Sequence, residues 1–156
     1  MPLYETSDHR AEEEIMRQDI EKLWNCNLHK LPMKYSLDYV ACRPDQDHQD
    51  DRNIVGFVEF KRRRIESAFQ PSYLNYPCYM LDVHKISSAQ MLWNTFHKPS
   101  TLVVKFDDRT GWVKIADNKP RFTNSQMIMA GRKDRNDPND HQPYILIPMN
   151  QFTWIN

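Results

Sequence analysis

Between residues 10 and 26 the apolar positions Met16, Ile20, Leu23 and Trp24 recur at the three- and four-residue spacing that lines one face of a helix. No Gly or Pro interrupts the segment, and Thr6, Ser7 and Asp8 ahead of it are short polar residues of the kind that cap helix starts. A first helix is predicted from about Arg10 to Cys26. A step of about 100° per residue sets Glu13 beside the apolar face, Glu12 on its other border, and Glu14 and Glu21 pointing away. Leu31-Pro32 closes a linker, after which MKYS and LDYVACR read as two short extended pieces or one bent strand, the second interrupted by Asp38. The polar run PDQDHQDDRN is a loop and implies a hairpin, because its Asp, Asn and Pro residues favour turns. In IVGFVEFKRRR, residues Ile54, Val55, Phe57, Val58 and Phe60 place apolar side chains on both faces, the pattern of a central strand covered on both sides. PSYLNYPCYML (71–81), with its two prolines, reads as an irregular approach to a second helix. That helix, SSAQMLWNTF, starts at Ser87 or Ser88 and stops before Lys98-Pro99. STLVVKFDD is a buried strand, DRTG a turn and WVKIAD its partner; a polar loop, AGRKDRNDPNDHQ, then leads to a last strand, YILIPM. The order is that of an α/β sandwich rather than strict βαβ winding.

A length of 156 residues makes a single domain over 1–156 the expectation. The 21 Lys+Arg balance 21 Asp+Glu, and 40% of residues are apolar, which excludes a wholly disordered chain and speaks against a uniformly basic nucleic-acid binder. Acids nevertheless concentrate in the first helix and the 45–51 loop, and bases beside Lys61 and near residue 133, so the zero sum is compatible with a polarised surface. Only three glycines are present, and no Gly-rich phosphate loop can be built from them. Cys26, Cys42 and Cys78 are odd in number and lack a CxxC pair, so a cytoplasmic, reducing setting is expected. No apolar run approaches the ~18 residues of a membrane span, and no membrane partner is expected.

Three ionisable residues stand out because they interrupt apolar strands: Asp38, Glu59 and Lys61. Buried charge is expensive unless paired or bound to a metal. Glu59 and Lys61, two apart on one strand, point the same way about 7 Å apart. Carboxylates from adjacent strands beside a lysine suit a hard cation such as Mg²⁺, with a phosphodiester bridging the metal and Lys61. The competing reading is an exposed ion pair at a strand end, worth about 0–1 kcal/mol. Basic groups that could contact phosphates follow directly in Arg62, Arg63 and Arg64 and return in Arg132, Lys133 and Arg135. Zinc held by Cys26, His29 and Cys42 lacks a fourth ligand. Tyr73, Tyr76, Tyr79 and Trp93 are candidates for base stacking, but Trp93 on a helix is more often core than platform, and the tyrosines equally suit an oligomer interface.

A Glu-bearing helix, Asp38, a loop, Glu59-Phe60-Lys61 on a central strand, then a helix and a strand: this succession resembles the PD-(D/E)xK nuclease superfamily, with Leu37 in the place of the motif's proline. The segments LHKLPMKYSLDYVACR, FVEFKRR, HKPSTLVVKFDD and GRKDRNDPNDHQPYILIPMNQF resemble small phage-encoded and metagenomic members. The resemblance implies a restriction-endonuclease-like α/β core, a central mixed β-sheet flanked by α-helices in αβββαβ order with further C-terminal strands. It implies Asp38, Glu59 and Lys61 as catalytic residues, and Glu13, Asp38, Glu59 and the Phe60 carbonyl as ligands of Mg²⁺, for which Mn²⁺ can substitute. It assigns Gln90 loosely to the glutamine motif of the exonuclease-like branch. The implied activity is metal-dependent hydrolysis of DNA in phage recombination, repair or packaging, inside an infected bacterium. A homodimer is expected because cutting two strands needs two sites, and no organic cofactor is expected. The alternative is a catalytically silent nucleic-acid-binding or virion-assembly module on the same fold.

Overall fold

The structure, a computed structural model, describes residues 7–32, 37–44, 51–69, 72–73, 76–122, 125–130 and 142–155. Helix α1 (Ser7–Trp24) leads into strand β1 (Asn27–Lys30) and then β2 (Tyr39–Cys42), β3 (Ile54–Arg62), β4 (Ser72–Tyr73) and β5 (Tyr76–Asp82). Helix α2 (Val83–Phe96) follows, then β6 (Ser100–Lys105), β7 (Thr110–Ala116), β8 (Met127–Ala130), β9 (Gln142–Pro148) and β10 (Thr153–Trp154). Six strands form one mixed sheet in the order β1-β2-β3-β6-β7-β10, and β4-β5-β9-β8 form a second. The only parallel pair among these ladders is β3 with β6, from Phe57↔Ser100 to Arg62↔Lys105, and α2 lies in the connection between them. The expected αβββαβ core is therefore present as α1, β1, β2, β3, α2 and β6, with β4 and β5 inserted before α2.

The central strand β3 is covered on both faces, as its apolar run predicts. Phe57 belongs to a core shared with Tyr79, Leu81, Leu92, Leu102 and Ile147, on the side of α2 and the second sheet. Val58 and Phe60 belong to a second core with Met16 and Ile20 of α1, Tyr39 and Val103. Val55 departs from the pattern and is 42% exposed. The stripe on α1 is likewise right in angle but too long. Met16 and Ile20 are buried, whereas Leu23 is 51% exposed because the last turn has nothing packed over that side chain. Trp24 is half-buried and meets Trp112 edge-on, with ring centroids 6.0 Å apart.

Several elements differ from expectation, the short strands β4 and β10 among them. Strand β1 was read as linker; it pairs antiparallel with β2 along Asn27↔Cys42 to Lys30↔Tyr39, and as an edge strand it buries Leu28 alone. Segment 76–82 is a strand rather than an irregular approach. Its Pro77 lies beside the two-residue β4, near the sheet edge where a missing N–H is tolerated. Helix α2 starts four residues before Ser87, because the Asp82 carboxylate accepts the His84 N–H at 2.8 Å. Strand β8 was not anticipated; it alternates exposed Met127 and Met129 with half-buried Ile128 and Ala130. The expected hairpin is seen as antiparallel pairing of β2 with β3, while its 45–50 loop lies outside the described residues, as does MKYS. Among the described residues no helix is long and apolar enough to cross a membrane.

Candidate active site

Strand alternation sends Glu59 and Lys61 to the α2 side of β3 and Val58 and Phe60 to the α1 side. Glu59 is 1% exposed, and its Oε1 receives two ammonium groups: Lys61 Nζ at 3.2 Å and Lys85 Nζ, from the first turn of α2, at 3.0 Å. Its Oε2 is buried with no hydrogen-bond partner among the described residues. Burial pushes the Glu59 carboxyl above its ordinary range and the Asp38 charge adds to this, while the two ammoniums oppose it. For Lys61, burial works against the charge, but Glu59, Tyr79 and Asp38 outweigh it and the ammonium is held more firmly protonated than usual.

Asp38 stands one residue before β2, where Tyr39 is opposite Val58, so one further step along the antiparallel ladder brings Asp38 abreast of Glu59. The position is fixed by two bonds. The Asp38 N–H donates to the Val58 carbonyl at 3.2 Å, and the Asp38 Oδ2 accepts the Phe60 N–H at 2.8 Å. The side chain thus replaces a strand carbonyl at the point where the ladder ends. Its Oδ1 lies 3.7 Å from Lys30 Nζ, which also donates to Glu13 Oε1 at 2.9 Å. Burial, followed by the Glu13 charge, raises the neighbouring Tyr39 hydroxyl to about 12.

Between α1 and the end of β3 a cleft of about 310 Å³ is lined by the carboxylates Glu12, Glu13 and Asp38 and the cations Lys61, Arg62 and Arg64. Lys61 is among the residues lining this cleft, whereas Glu59 is not. Among the described residues no three Asp, Glu, His or Cys side chains form a ready metal cage. The donors do fit a hard cation: they are carboxylate oxygens, and one of them, Glu59 Oε2, is buried and uncommitted.

The remaining expected site residues are placed as follows. Arg62 bonds Asp107 at 2.7 Å and the Lys105 carbonyl at 3.2 Å, fastening the end of β3 to the β6–β7 turn. Arg63 is exposed, with its guanidinium 5.1 Å from the Tyr79 ring centre. Arg64 grips both oxygens of Glu12, at 3.0 and 3.1 Å. Arg132, Lys133 and Arg135 lie outside the described residues. Gln90 is exposed and donates to Asn94 one turn along α2, and it is not among the residues lining the cleft. The α2 side chain that meets the site is Lys85, which sequence reading missed. A cation in a first helical turn opposes the macrodipole, and that misfit was the available signal. Glu21, read as pointing away, accepts the Leu28 N–H at 2.9 Å and Arg17 at 2.7 Å, tying α1 to β1. Tyr79 is 1% exposed and Trp93 packs against the main core, so neither is an open stacking platform. All three cysteines are buried, and none forms a disulfide among the described residues.

A mixed sheet in αβββαβ order, an aspartate abreast of a Glu-x-Lys on its central strand and a carboxylate-bearing first helix define the PD-(D/E)xK nuclease class. Within that class, the family model described as "Phage putative PDDEXK endonuclease" matches residues 1–155, and the chain belongs to this family. The chain matches no curated protein and no solved structure.

Proposed function

We propose that the protein is a metal-dependent deoxyribonuclease that hydrolyses DNA phosphodiester bonds at the α1–β3 cleft, acting as an endonuclease in phage recombination, repair or packaging. The observation that carries the proposal is the placement of Asp38 abreast of Glu59, with Lys61 both in contact with Glu59 and among the residues lining the cleft. Asp38, Glu59 and the Phe60 carbonyl, with Glu13 from α1, would hold Mg²⁺ or Mn²⁺. When bound, such an ion polarises a phosphoryl oxygen and lowers the pKa of a coordinated water. Lys61, whose ammonium is paired with Glu59, lines the cleft and would orient a phosphate oxygen or the attacking water. Arg62 and Arg64 already have carboxylate partners, so they meet a phosphate by exchanging Asp107 or Glu12 for it; Arg63 needs no such exchange with a carboxylate seen here. Arg132 and Lys133 are proposed as further phosphate contacts. A homodimer would bring two such clefts to the two strands of a duplex.

Labelled linear, branched and supercoiled DNA incubated with Mg²⁺, Mn²⁺ or EDTA tests the reading. Cleavage is expected with either metal and not with EDTA, and Asp38→Asn and Glu59→Gln should each lower it at least about a hundredfold. Metal-independent cleavage that survives both substitutions would overturn it. Binding of DNA without any cleavage would favour the silent-module alternative.

A further inference from the structure

Glu59 has two lysines where the Glu-x-Lys motif supplies one, and the two are not equivalent. Lys61 touches Glu59 and also lines the cleft; Lys85 touches Glu59 from the opposite element and is not among the residues lining the cleft. Lys85 is also in a costly place. It occupies the first turn of α2, where the helix dipole disfavours a cation, and its side chain is only 22% exposed. The buried Glu59 carboxylate at 3.0 Å compensates both costs. Both ammoniums bind the same oxygen, Oε1, so the carboxylate is anchored on one side and Oε2 is left uncommitted.

We propose that Lys85 is a positioning residue. It serves as the standing counter-ion of Glu59, holds that carboxylate so that Oε2 stays available as a cation ligand, and thereby releases Lys61 for the substrate. Without Lys85, Lys61 would be the remaining ammonium at Glu59 and would be drawn away from the cleft. The inference rests on the nuclease reading above and adds a division of labour between the two lysines. It replaces Gln90 with Lys85 as the residue through which α2 acts on the site.

The test uses the full chain with Lys85→Met and Lys85→Arg. Mn²⁺ affinity is measured by calorimetry without DNA, kcat and KM on a duplex with Mg²⁺, and thermal unfolding alongside. Lys85→Met should weaken Mn²⁺ binding and lower kcat by about 10–100-fold, the range for outer-shell partners of a metal site. KM for DNA should stay within about twofold, because Lys85 acts through Glu59 rather than on the substrate. Lys85→Arg, which keeps the charge, should recover most of both losses. Unchanged Mn²⁺ affinity and kcat in a folded Lys85→Met protein would overturn the inference, and so would a loss confined to KM, which would make Lys85 a DNA contact. If Lys85→Met does not fold, Lys85→Gln takes its place with the same expectations, and wild-type Mn²⁺ affinity there is equally fatal. A wild-type protein that neither binds Mn²⁺ nor cleaves DNA defeats the nuclease reading, and this inference with it. A wild type that does both, beside an unaffected Lys85→Met, defeats this inference alone.

Discussion

The two sides of the end of β3 carry the same residue types in opposite surroundings. On the inner side Glu59 is 1% exposed and holds two lysines under α2 and the second sheet. On the outer side Glu12, with its side chain 28% exposed, holds an Arg64 side chain that is 56% exposed, and lies 3.8 Å from Arg62. Solvent decides what each group can do. The outer pairs are screened, so a phosphate can replace a carboxylate at little cost. The inner carboxylate is shielded from water, so its loss costs more than the loss of an outer one. The inner side therefore suits holding geometry, and the outer side suits exchanging partners with a substrate.

The largest expected contrast is in stability. Glu59→Ala should destabilise the fold by about 3–5 kcal/mol, since it removes a buried carboxylate that two ammoniums share, while Glu12→Ala should cost under about 1 kcal/mol. Chemical denaturation of the two variants measures this, and equal losses would break the comparison. Next is Asp38, which links the two sides. Asp38→Ala removes the acceptor of the Phe60 N–H and should cost about 1–3 kcal/mol, whereas Asp38→Asn keeps an acceptor and should stay within about 1 kcal/mol of wild type although cleavage is lost. Denaturation and cleavage assays on the same pair of variants separate the two roles. A smaller effect is expected for Glu12→Gln, which releases Arg64 and relieves Arg62. DNA affinity at low salt should rise and the salt dependence steepen by about one phosphate contact, read from binding isotherms over a salt series. An unchanged slope would mean that these arginines do not meet DNA.

The smallest is a pH effect at a distant outer pair. The Arg121 guanidinium holds the Asp117 carboxyl below its ordinary value. A depressed folded value means that the contribution is complete above the unfolded carboxyl's pKa of about 4 and is lost as pH falls through the folded value. Asp117→Asn should therefore lower Tm slightly near neutrality, and the difference from wild type should close in acid. A difference that grows on acidification would contradict this sign.

Asp38, Glu59 and Lys61 could be read from the chain because charge inside apolar strands is conspicuous without any partner being known. Glu13 could be placed near the cleft because helical angle alone sets it beside Met16. Lys85 could not be placed in the same way. It lies 26 positions after Glu59, and their contact exists only because the crossover through α2 returns the chain beside β3. Glu21 was misread for a related reason: its angle on α1 faces away from the stripe, but β1 comes round to offer the Leu28 N–H. Strand β1 itself is too short and polar to carry a periodic signal, and Pro77 concealed β5.

Legible in the chain alone are the first helix, the two-sided character of β3 and the carboxylates Asp38 and Glu59 set among apolar residues, because each depends on local periodicity or on a charge among apolar neighbours. What the tertiary structure decided is which cation answers which carboxylate: Lys85 and Lys61 at Glu59, Lys30 at Glu13, Arg64 at Glu12. In the unfolded chain all of these groups are solvated alike. Folding makes them differ, because the distance between charges and the depth at which they meet are properties of packed elements.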